Sequence, residues 1–123
     1  MNLVGKITTG LGDCSQWLEK YAAAYTDITG IDYFPGTLNV ELPEDFDMPA
    51  DSDRLESSQY EGEVSVSILP CRIFDRAASI LRTDANQNGT GTHPRTIIEI
   101  ATDVELRDEY YLQDGDEVTI TID

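Results

Sequence analysis

Short runs of alternating apolar and polar residues dominate the chain. "LVGKITT", "GTLNVEL", "GEVSVSILPCRIF", "AASILR", "TIIEIAT" and "DEVTITID" are rich in Val, Ile and Thr and repeat with a period near two, the signature of half-buried strands. Six such segments in 123 residues predict a mainly β fold, a small six-stranded barrel with one or two short helices. One helix is predicted where Trp17, Tyr21, Ala24, Tyr25 and Ile28 recur at three- and four-residue spacing. Asp13 or Ser15 can cap its start, and Gly30 can stop it. A second, barely two turns long, is predicted in "VELRDEYYL". Pro43 to Asp53 and Thr83 to Arg95 lack periodicity and read as loops, the latter polar and long enough to serve as a flap. No internal repeat or linker interrupts the pattern, so residues 1–123 are expected to form one domain.

Composition narrows the function. Against 8 Lys and Arg stand 24 Asp and Glu, a formal net charge of −16 that repels nucleic acid and argues against DNA or RNA as a partner. The acids are spread through "ELPEDFDMPADSD" and "DVELRDEYYLQDGDE", as on a solvated folded surface. Asp exceeds Glu, Arg exceeds Lys and Thr is plentiful, a balance suited to high salt. Cys14 and Cys71 are the only cysteines and form no CxxC pattern, so reduced thiols are expected in place of a disulfide framework or zinc site. No apolar run resembles a signal peptide or a membrane span. A cytoplasmic monomer with no membrane partner is expected.

Two short stretches carry candidate chemistry. Gly10-Leu11-Gly12 lies between a predicted strand and a predicted helix start, where unpaired N–H groups and the helix dipole favour an anion such as phosphate. No GK[ST] follows, and a plain strand-to-helix connector would also use glycines there. In "GTLNVEL", Thr37 and Asn39 are two apart on a predicted strand, so a hydroxyl and an amide oxygen emerge on one face. Hard cations such as Mg²⁺ take such ligands and complete their shell with water and substrate phosphates. A solvent-facing threonine and a turn asparagine are the commoner fate of these residue types, and spacing alone leaves both readings open.

The ordered set "GKITTGLGD", "GIDYFPGTLNVEL", "SILPCRIF", "THPRTIIEIATDVELRD" and "YLQDGDEVTITI" resembles, over nearly the whole chain, the archaeal-type CTP-dependent riboflavin kinases. The resemblance implies a six-stranded cradle-loop barrel that makes FMN and CDP from riboflavin and CTP, with Mg²⁺ as cofactor. It also implies that Gly10, Leu11, Gly12, Asp13, Cys14 and Ser15 embrace the nucleotide phosphates and that Thr37 and Asn39 bind the metal. Val104, Glu105, Leu106 and Arg107 complete the nucleotide site. Glu99 contacts the flavin nucleotide and is the candidate for accepting or orienting the hydroxyl proton. A flavin-contacting threonine falls on Thr92, with Thr90 as the alternative, and His93 matches a histidine of the same motif. Where the family commonly has a third glycine, this chain has Cys14, so CTP is expected to remain the best donor with more tolerance of other triphosphates than the family norm. A barrel that binds flavin or nucleotide without transferring phosphate, or a structural interaction domain, are the rival readings. The presence of both Thr37 and Asn39 favours the enzyme.

Overall fold

Burial alternates along the last strand as the sequence pattern requires. In the computed structural model, which describes residues 1–10, 18–56, 65–91 and 93–122, Val118, Ile120 and Ile122 turn inward while Glu117 and Thr119 face out. The strands are β1 (Asn2–Thr8), β2 (Leu38–Glu41), β3 (Asp53–Leu55), β4 (Val66–Ile73), β5 (Arg76–Thr83), β6 (Ile97–Ala101) and β7 (Glu117–Thr121). Every pairing is antiparallel, in the order β3-β4-β5-β6-β2-β1-β7, and β4 also pairs with β7. Six strands therefore close into a barrel, and β3 is appended to the outside of β4. Closure leaves the six barrel strands no free edge. The strand β3 was not expected, because its three residues offer only one apolar side chain, Leu55, to reveal it.

The barrel interior is filled by Ile7, Leu38, Val40, Ile80, Ile98 and Ile120 with their neighbours. A second cluster lies outside the wall. There α1 (Ala22–Thr29), preceded by helical residues 18–20, lays Leu18 and Tyr25 against Leu55, Val66, Ile68 and Leu81. Gly30 ends α1 as predicted: its φ of 73° is left-handed, and its N–H donates to Thr26 O at 2.8 Å. The predicted caps Asp13 and Ser15, with Trp17, lie outside the described residues.

The stretch read as a loop from Thr83 contains α2 (Asp84–Gln87), a single turn whose start is capped by the Thr83 hydroxyl accepting from Asn86 N–H at 3.1 Å. Four residues are too few for helical periodicity to show. The second predicted helix is α3 (Leu106–Tyr110), closed by Tyr111 in the left-handed conformation. At the β4–β5 hairpin, Phe74 and Asp75 both have positive φ, 53° and 60°, as a two-residue turn of the primed type demands. Phe74 stacks on Tyr110 of α3 with ring centroids 4.1 Å apart.

Candidate active site

Strand register assembles the site. Asn39 of β2 lies opposite Thr8 of β1 on one side and Glu99 of β6 on the other. Directly paired residues of an antiparallel sheet share a face. Leu38, Val40, Ile98 and Ile100 fill the barrel, so Asn39 and Glu99 point out of it. Asn39 is nevertheless only 9% exposed, and its Oδ1 is buried with no hydrogen-bond partner among the described residues. A buried amide oxygen left unpaired is costly, so such an atom takes a partner such as water or an ion.

The reason for Gly10 is space. A Cβ built there would collide with the Asn39 amide, with Oδ1 only 2.9 Å away, so any side chain at position 10 must displace Asn39. The phosphate-loop candidate and the metal-ligand candidate thus touch. Leu11, Gly12, Asp13, Cys14 and Ser15 lie outside the described residues.

Thr37 is one residue ahead of β2, so strand alternation does not govern its side chain. It instead helps line a small cleft in which Phe34 and Thr37 face Val104, Glu105 and Arg107 over Ile100. Leu106 is buried in the barrel core beneath the same segment. Phe34 is held there by its N–H to Thr102 O at 2.8 Å, while the buried Thr102 hydroxyl donates to Ala77 O at 2.7 Å. Neither residue stood out in the sequence, since an aromatic before Pro-Gly and a threonine ending a strand have ordinary structural uses.

Arg107 donates through Nη2 to Asp114 Oδ1 at 2.5 Å and to Thr8 O at 3.3 Å, which brings the cleft to the end of β1. On the other flank, His93 Nε2 is 3.8 Å from Glu99 Oε1, with side chains 13% and 16% exposed. The polar stretch after α2 therefore reaches β6. His93 N–H donates to Asn86 Oδ1 at 3.3 Å. The Thr90 hydroxyl is engaged within its own turn, donating to Ala85 O at 3.3 Å, and Thr92 lies outside the described residues. Among the described residues no group of three or more His, Cys, Asp or Glu side chains is placed to hold a metal.

Residues 7–122 match the family profile named for CTP-dependent riboflavin kinases and described as "Domain of unknown function DUF120". The chain belongs to this archaeal-type family. It is 35% identical to a protein named riboflavin kinase from Methanocella arvoryzae, over 97% of this chain and 56% of the relative. A riboflavin kinase from Saccharolobus solfataricus is 33% identical over 99% of this chain and 74% of its own length. One from Methanobrevibacter smithii is 29% identical, with 98% of each chain covered. The chain thus spans a little over half of its Methanocella and Methanospirillum relatives and nearly all of the Methanobrevibacter one. No helix among the described residues is long and apolar enough to cross a membrane.

Proposed function

We propose that this domain transfers the γ-phosphoryl group of CTP to the 5′-hydroxyl of riboflavin, giving FMN and CDP, as a cytoplasmic monomer. Family membership supports the reaction. The observation that carries it is the contact of Gly10 with a buried, unpartnered Asn39 on the strand paired with Glu99.

Phosphoryl transfer asks a protein mainly for in-line positioning and neutralisation of charge. The oxygens of Thr37 and Asn39 suit Mg²⁺, and the unsatisfied Asn39 Oδ1 is the structural feature that fits it. When bound, the ion would offset the charge of the phosphates, a need made acute by a protein of net −16 holding a nucleotide of about −4. Residues 10–15 are assigned to the phosphates by the family resemblance alone, and Arg107 contributes a positive charge beside the cleft. Glu99 faces the same side of the sheet as Asn39, and His93 flanks its carboxylate. It accepts the proton of the 5′-hydroxyl or aligns that hydroxyl for attack.

Replacing Asn39 or Thr37 with Ala should abolish FMN formation from riboflavin, CTP and Mg²⁺, while the far-ultraviolet circular dichroism stays that of the unaltered chain. The core is filled by other residues, so little stability is at stake. Full activity in both variants would overturn the metal assignment. Absence of FMN from the unaltered chain with every triphosphate would overturn the kinase reading.

A further inference from the structure

The run Leu112-Gln113-Asp114-Gly115-Asp116 forms a turn that leads into β7 and is docked by its backbone on the end of β1. Gly115 N–H donates to Ile7 O at 2.8 Å, and Ile7 N–H to Asp116 O at 2.9 Å. Gln113 N–H donates to Asp116 Oδ2 at 2.8 Å, so Asp116 serves the turn itself. Asp114 does something different. Its Oδ2 accepts from the Thr9 hydroxyl at 2.5 Å, and its Oδ1 accepts from Arg107 Nη2 at 2.5 Å. The Thr9 hydrogen bond, and then Arg107, hold its carboxyl below the usual aspartate range. One exposed carboxylate thereby ties the residue before Gly10 to the residue that ends the Val104–Arg107 segment.

We propose that Asp114 is a positioning residue for the nucleoside triphosphate, fixing Arg107 relative to Thr9 and Gly10. The inference rests on the nucleotide reading given above. Exposed ion pairs add little to stability, so a structural purpose alone explains this one poorly. A long arginine side chain loses much rotamer freedom when it is fixed on a ligand, and prior fixing by Asp114 lowers that cost. Electrostatics by itself argues the other way. A carboxylate near phosphate sites repels the ligand, so simple charge removal would tighten nucleotide binding. The two accounts predict opposite signs.

The test uses the full chain with CTP and Mg²⁺, measuring Kd by titration calorimetry and FMN formation in parallel. Asp114→Ala should raise the Kd and KM for CTP about tenfold, with the KM for riboflavin unchanged and kcat within about twofold. Asp114→Glu should recover part of the loss. Thr9→Val, which removes only the donor to Oδ2, should weaken CTP in the same direction, and the double variant should be no worse than Asp114→Ala, because both act through one unit. If Asp114→Ala fails to fold, Thr9→Val and Asp114→Glu still decide the matter. Folded variants that bind CTP as tightly as the unaltered chain, or more tightly, overturn the inference and leave the kinase reading standing. An unaltered chain that binds CTP without making FMN removes the kinase reading, and the inference is then judged on Kd. An unaltered chain that binds no nucleoside triphosphate overturns both.

Discussion

A methyl group at position 10 has nowhere to go unless the Asn39 amide moves. Gly10→Ala therefore probes the site without removing a donor atom from it. Displacing a positioned group by about 1 Å can cost roughly 100-fold in rate, and FMN formation should fall by that order in a chain that remains folded. Turnover within twofold of the unaltered chain would show that Asn39 can shift freely and that its place beside the loop is incidental. The sequence made Asn39 visible as an oxygen ligand and Gly10 as a candidate phosphate contact. Their contact was not legible, because it arises from the pairing of Thr8 with Asn39, a register between strands some thirty positions apart. Asp114 was hidden for a similar reason: its partners Thr9 and Arg107 come from other elements.

At the scale of elements, the six barrel strands could be read from short runs rich in Val, Ile and Thr that often alternate, while the loops between them hold what the pattern missed. Arg82 closes the segment "AASILR" and reads there as a polar strand end, yet it is 2% exposed and continues the inward row of Ala78 and Ile80. Burial lowers its pKa, the expected penalty on a charge taken out of water. The guanidinium is compensated by carbonyls from two loops and the start of β6: it donates to Phe46 O, to Arg95 O at 3.0 Å and to Ile97 O at 3.0 Å, and to Gln87 Oε1 at 3.1 Å. Gln87 Oε1 also accepts from Met48 N–H at 3.1 Å, and Arg95 lies 3.4 Å from Asp45. The residues expected to act as a flap are thus latched at their base to the 43–48 loop. Arg82→Met would leave several buried acceptors unpaired and should cost about 3 kcal/mol. The melting midpoint should fall by roughly 10 °C. Amide exchange should quicken at Phe46 and Met48, whose N–H groups pair across the latch. An unchanged midpoint and unchanged exchange would show that the two loops hold themselves.

For the whole molecule, charge is the dominant global property. Net −16 on a chain of 123 residues sets up self-repulsion that the described ion pairs, such as Arg76–Asp103 and Arg54–Asp84, offset only locally. Raising salt from 0.1 to 1 M shortens the screening length from about 10 Å to about 3 Å, so KCl should raise the melting midpoint by about 4 °C or more. A flat or falling midpoint would mean that the acidic surface is neutral for stability. On the proposed function, nucleotide binding against this surface would depend on local compensation at Gly10, Asn39 and Arg107, and the departure from the family at Cys14 makes the choice of nucleotide the point most open to test. One measurement addresses it: FMN formation from riboflavin and Mg²⁺ in an equal mixture of CTP, ATP, GTP and UTP, with each diphosphate quantified against the FMN made. CDP should be the main co-product, with minor amounts of the others; FMN formed chiefly at the expense of ATP, or no FMN at all, would contradict the account.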